Sequence, residues 1–164
     1  MARTVDNLMK MFTSGAESNI RYLAFAEAAE KEDHPNAAKI FRAVATAKMY
    51  HALSHFRATN YTDTTAENLK QALEEETYDT KKAYPSMVQD AVRDEALEAR
   101  HSLEYGMSIG PVITKLISKA IGQSDADESG SYYVCPVCGN IEFGKPPAKC
   151  PFCGVDADDF VAVS

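Results

Sequence analysis

Apolar residues recur at three- and four-residue intervals from Val5 to about Ile121, the spacing of one face of an α-helix. Ala, Glu, Lys, Leu and Met dominate this stretch, and glycine and proline are sparse until Gly106. The pattern breaks at Asp33-His34-Pro35-Asn36, around Thr59–Asp63, and weakly at Asp94-Glu95. Four helices follow, over about 5–32, 36–58, 65–92 and 95–121, with Pro35 suited to the first position of the second. Short connections make the first pair and the last pair antiparallel, so the chain is expected to be mainly α and built on a four-helix bundle. The second helix carries Ala37, Phe41, Val44, Lys48, His51 and His55 on one stripe. The fourth carries Ala99, Leu103, Gly106, Gly110, Ile113 and Ile117 at the same offsets. The first and third helices each place acid on such a stripe: Glu17 with Ile20, Ala24 and Ala28, and Glu76 with Leu69, Leu73, Thr80, Ala83 and Met87. Gly110-Pro111 is expected to kink or break the fourth helix, or to form a turn that starts a separate short one.

Composition changes abruptly at Gly122. The run Gly122-Gln-Ser-Asp-Ala-Asp-Glu-Ser-Gly-Ser131 is small, polar and acidic, and reads as a flexible linker. The chain therefore divides into a helical bundle over 1–121, a linker over 122–131, and a segment over 132–164 that is too small to fold without a staple. Charge narrows the partners. With 17 Lys+Arg against 24 Asp+Glu, a formal net of −7, the chain lacks the basic footprint for nucleic acid and is repelled by an anionic membrane surface. No apolar run approaches the roughly 18 residues of a membrane span. The first residues show no apolar signal stretch, so a cytoplasmic address is expected, where thiols stay reduced.

All four cysteines fall at Cys135, Cys138, Cys150 and Cys153, as Cys-Pro-Val-Cys-Gly and Cys-Pro-Phe-Cys-Gly. Two residues between cysteines let both sulfurs of a tight turn reach one ion, and the following glycine lets amide N–H groups turn toward the sulfurs. Two such knuckles make a tetrahedral cage of four thiolates suited to iron or zinc. Iron there is a one-electron carrier and zinc is structural; the spacing does not choose. Tyr132, Tyr133, Phe143, Phe152 and Phe160 are expected to form a mini-core that shields the sulfurs.

With Gly15-Ala16-Glu17-Ser18, Glu76-Thr77-Tyr78-Asp79, Tyr84-Pro85 and the cysteine segment through Val155-Asp156-Ala157-Asp158-Asp159-Phe160, nearly the whole chain resembles the rubrerythrin family. That resemblance implies a ferritin-like four-helix bundle followed by a small rubredoxin-like metal domain with four cysteine ligands. It implies an oxidoreductase that carries electrons from a rubredoxin-type iron held by four thiolates to a di-iron site that reduces hydrogen peroxide, in a protein usually dimeric. A homodimer and a redox partner protein are thus expected.

A carboxylate-bridged iron pair takes a Glu from each of two helices and Glu-x-x-His from each of the other two. This chain supplies Glu17, then Glu76 with Asp79 in place of a longer acid. Where Glu-x-x-His belongs it has Lys48-Met-Tyr-His51 on the second helix, and Gly110 and Ile113 on the fourth. Both bridging carboxylates and one His are missing, and an ammonium near metal in a low-dielectric bundle is unfavourable. A di-iron centre is therefore not expected. Glu98-Ala99-Arg100-His101 spells the motif but lies about 18 Å along the axis and about 120° around it from Gly110, off the stripe. Three arrangements suit the remaining groups: Lys48 as a charge substitute paired with Glu17 and Glu76 beside His51, Lys48 snorkelling outward with water held inside, or one ion on Glu17, Glu76 and His51 with Asp79 close. Three functions follow: a rubrerythrin-type peroxidase with activity reduced or lost, an electron-transfer module on a helical scaffold, and a zinc-stabilised interaction protein without redox activity.

Overall fold

The computed structural model describes residues 2–122 and 130–163. Helices α1 (Ala2–Lys31) and α2 (Pro35–Ala58) precede α3 (Thr65–Tyr78), a π-helical turn (Asp79–Ala83), α4 (Tyr84–Arg93) and α5 (Leu97–Gly122). Strands β1 (Tyr132–Val134), β2 (Ile141–Phe143) and β3 (Val161–Val163) follow, with a short 3-10 turn at Ala157–Asp159. The expected mainly α fold with a small cysteine segment is therefore observed, with four long helical stretches near their expected ends. Most of the expected linker, residues 123–129, lies outside the described residues. The chain divides into two compact units, residues 1–64 and 65–164.

In the first unit α1 and α2 form a hairpin closed by small side chains. Ala38, Ala45 and Ala52, spaced by seven, are buried with Gly15, Ala26 and Ala29. A Cβ at Gly15 would lie 3.1 Å from that of Ala52, so the two backbones run close. Asn19 Nδ2 donates to the Ala45 carbonyl at 2.8 Å, and Glu30 pairs with Arg42 at 2.7 Å. Asp33, at φ 58°, turns the chain between the helices, and Pro35 opens α2 as expected. Within this hairpin Glu17, Ile20 (66% exposed), Ala24 and Ala28 lie off the face that meets α2 and are exposed. Gly15 and Glu17 lie about 200° apart on the helix, and the glycine face meets α2.

In the second unit α3 and α4 both pack along α5. The third helix is interrupted where one continuous helix was expected. Pro85 has no N–H, and in an α-helix its ring would meet the carbonyl of Lys81. A single wider turn relieves this, with the Tyr84 N–H reaching back to the Asp79 carbonyl. Conversely, α5 neither breaks nor ends at Pro111. The preceding residue is glycine, which removes the Cβ that a following proline ring crowds out of helical geometry. The three strands form an antiparallel sheet ordered β2-β1-β3, pairing Val134 with Ile141 and with Val161. Phe160 is buried and Tyr133 packs on the core beside it, but Phe143 and Phe152 are exposed, so the expected aromatic mini-core is only partly built.

Candidate metal centre

Two turns of near-identical form present the cysteines. In the first, Cys135 N–H donates to the Asn140 carbonyl at 2.8 Å and Gly139 N–H to the Cys135 carbonyl at 3.0 Å. In the second, Cys150 N–H donates to Val155 at 2.8 Å and Gly154 N–H to Cys150 at 2.9 Å. Gly139 and Gly154 close the turns at φ 78° and 80°, where a side chain would be strained. The four Sγ atoms all lie within 4.8 Å of one another, with Cys135 to Cys153 at 3.4 Å and Cys138 to Cys150 at 3.5 Å. A tetrahedron of sulfurs bonded at about 2.3 Å to a central ion has edges of about 3.8 Å, so the donor set fits such an ion.

The thiols do not ionise alike. Burial opposes ionisation of Cys135, but the N–H groups of Cys138 and Val137 and the sulfurs of Cys153 and Cys138 outweigh it and bring the thiol down to about 7. Burial leads in pushing Cys138 up, and the sulfurs of Cys150, Cys135 and Cys153 add to it. Cys153 receives the Val155 N–H, yet burial and the sulfurs of Cys135 and Cys150 leave it raised. One cysteine thus ionises readily while its neighbours resist a second negative charge, the penalty that a bound cation removes. Cys135, Cys138 and Cys150 are buried, while Cys153 is half-buried. Four protein ligands leave no open coordination position, so the cage suits electron exchange or structural support rather than substrate binding at the ion.

The bundle residues are placed differently. Glu17 has a side chain 62% exposed and pairs with Arg21 at 3.6 Å. On α2 Lys48 is half-buried and His51 exposed. Glu76, in the last turn of α3, is half-buried, and its carboxyl is raised by burial first and then by Asp79 and Glu75. Asp79 opens the π-helical turn and is exposed. Arg100 pairs with Glu104 at 2.7 Å, and His101 beside it is exposed. Among the described residues, the four cysteines are the only set of three or more His, Cys, Asp or Glu whose ligand atoms converge this closely.

Two features escaped the sequence reading. Gly110 is buried against Thr80 of the π-helical turn: a Cβ there would lie 2.9 Å from Thr80 Cβ and would collide with Thr80 Oγ1. One turn earlier, a Cβ at Gly106 would lie 2.5–2.6 Å from the ring and hydroxyl of Tyr84. Both fourth-helix glycines thus receive side chains, Gly110 at the position a bridging carboxylate would take, and two glycines four apart face Thr80 and Tyr84 four apart. The second feature is Ile109, which joins Cys135, Cys138, Cys150 and Phe160 in one buried cluster. Its signal is a second apolar stripe on α5, Tyr105-Ile109-Val112.

Among the described residues no helix is long and apolar enough to cross a membrane. Residues 133–161 match the family model for the rubrerythrin rubredoxin-like domain. Over 184 aligned residues the chain is 30% identical to rubrerythrin-2 of Clostridium acetobutylicum, covering 98% of this chain and 97% of that protein. It is 27% identical to nigerythrin of Nitratidesulfovibrio vulgaris, covering 97% and 86%. Solved structures of nigerythrin in a mixed-valence and a partially reduced state superpose with TM-scores of 0.59 and 0.60 at 25% identity, covering 98% of this chain and 86% of theirs. With a cage of four thiolates, a mainly helical fold and full-length similarity of this extent, the chain belongs to the rubrerythrin family.

Proposed function

We propose that this protein is a one-electron carrier of the rubrerythrin family, working through iron at Cys135, Cys138, Cys150 and Cys153, with no peroxide-reducing iron pair in its helical half. An iron in such a cage alternates between ferric and ferrous states without changing its ligands. The observation that carries the reading is the contrast between a complete, closed thiolate cage and a fourth helix whose would-be carboxylate position, Gly110, lies under Thr80. Lys48, in place of the other bridging carboxylate, supports it. Nigerythrin, solved in a partially reduced state, is a relative whose redox state changes. A redox partner protein would dock over the knuckle tips, where Val137 and Phe152 are exposed and Cys153 is half-buried. Four cysteines that serve as thiolates rather than disulfides support a reducing compartment such as the cytoplasm.

Metal quantitation on protein purified without added metal tests the reading. One iron per chain, with the visible absorption of a ferric thiolate that bleaches on reduction and returns on oxidation, is the expected result. Three irons per chain with peroxidase turnover would assign it to peroxide reduction, and one zinc with no iron would make it a scaffold.

A homodimer belongs to the same proposal. The α1–α2 hairpin buries mainly alanines between its helices, while Met11, Phe25 and Val44 are exposed, and a second copy would cover them. Light scattering after size exclusion should give twice the chain mass for the native protein and a lower mass for Val44→Asp.

A further inference from the structure

The buried cluster around the cysteines contains one side chain that the cysteine segment does not supply. Ile109, in the middle of α5, is 2% exposed and lies in that cluster with Cys135, Cys138, Cys150 and Phe160. Tyr105 one turn before it, and Val112 and Ile113 one turn after, pack against the same cluster. This stripe lies roughly 80° around the helix from the Gly106–Gly110 face, so α5 serves two neighbours with two faces. The small three-stranded segment leaves its own Phe143 and Phe152 exposed, and the helix supplies part of the apolar wall around the sulfurs.

We propose that Ile109 is a positioning residue of the metal centre, sealing the thiolate cage against water and thereby setting how firmly the metal is retained and, with iron, the reduction potential. The inference rests on the reading that the cage holds a metal. Its electrostatic basis is simple. Four thiolates around ferric iron carry a net charge of −1, and around ferrous iron −2. Water stabilises the more highly charged reduced state more, so an apolar seal holds the potential down and its loss raises it. The same seal keeps protons and competing ligands from the sulfurs, which slows metal loss.

The test compares Ile109→Ala, Ile109→Val and Ile109→Thr with Ile117→Ala, an equal deletion on the same helix outside the cluster. Metal content as purified, the rate of metal transfer to a chelator and, for the iron form, the potential from a spectroelectrochemical titration are measured on the full chain. Ile109→Ala should release metal about ten-fold faster, and its potential should rise. Ile109→Val should stay within about two-fold of the native rate, and Ile117→Ala should match it. Valine and threonine have the same shape, so faster release and a higher potential for Ile109→Thr than for Ile109→Val isolate water access from packing, even if Ile109→Ala does not fold. Equal behaviour of the threonine and valine variants would overturn the inference while leaving a loaded native protein intact. A native chain with no metal at the cysteines would instead refute the functional reading beneath it.

Discussion

Replacing Gly110 with alanine tests whether the fourth helix has been reshaped around Thr80. Alanine in a helix interior is worth about 1 kcal/mol over glycine, so propensity alone makes the change stabilising. Geometry argues the other way. The new methyl carbon would sit 2.9 Å from Thr80 Cβ and 3.0 Å from its Cγ2, against an ordinary carbon contact of about 3.5–4.0 Å. It would also collide with Oγ1, an oxygen that is buried without a hydrogen-bond partner. Both residues belong to packed helical backbone, so relief requires the helices to shift, and overpacking of this kind costs about 1–3 kcal/mol. The expected net is a loss of up to about 2 kcal/mol. Thr80→Ala gives up a methyl worth about 0.8 kcal/mol but removes the unpartnered hydroxyl, whose burial costs about 1–3 kcal/mol. It should be neutral or mildly stabilising, and the double variant should be at least as stable as the native protein. Urea unfolding followed by helical circular dichroism, with equal slopes required across the four proteins, gives the coupling energy, expected at about 1–3 kcal/mol. Additive effects, with Gly110→Ala stabilising in the presence of Thr80, would refute the packing argument.

Two further outcomes follow from the ionisation of named groups. Because the Cys135 thiol is lowered to about 7, its thiolate is abundant at pH 8 and scarce at pH 6, so cobalt(II) uptake by the apoprotein, read from thiolate charge-transfer absorption, should accelerate as pH rises through 7. A rate flat across that range would contradict it. Glu76 is raised from its usual 4.5, so any stability tied to its protonated form is complete below that value and lost as pH rises through the shifted one. Glu76→Gln should therefore raise the unfolding free energy from urea titration at pH 7 by less than about 1 kcal/mol, because the carboxyl is partly solvated, and leave it unchanged at pH 4.

What the sequence disclosed was set by the range of the interactions involved. The helices rest on local periodicity and on Pro35, and the cage on two short turns repeated almost identically, so both were legible. The π-helical turn was not, because Lys81-Lys82-Ala83 are good helix formers and hid the demand that Pro85 makes one turn upstream. The face of α1 that meets α2 was hidden because Gly15, Ala26 and Ala29 carry little hydrophobic signal, whereas Ile20 on the opposite side carries much. Ile109 could not be read as part of the cage without knowing that a segment beginning some twenty residues later packs back on the helix.

The positions on α5 where a di-iron site would place a carboxylate and a histidine are packed against other side chains, and that bears on whether the proposed lack of an iron pair could be reversed. Had Gly110 merely lost a carboxylate, a hole lined by polar groups would remain, and restoring Glu would refill it. Instead Thr80 fills the space beside Gly110, and Tyr84 that beside Gly106, both fixed by the wide turn that Pro85 imposes. Ile113, where a histidine would stand, packs against the cluster that contains Ile109 and the cysteines. Each reversion is thus opposed by a neighbour: glutamate at 110 by Thr80, and histidine at 113 by the apolar wall of the thiolate cage. Lys48→Glu with Gly110→Glu should not recover iron in the helical half, since Ile113 would still offer no ligand and Thr80 no room. Adding Ile113→His supplies the ligand but places a polar ring against the cage, so gain at one centre is coupled to loss at the other.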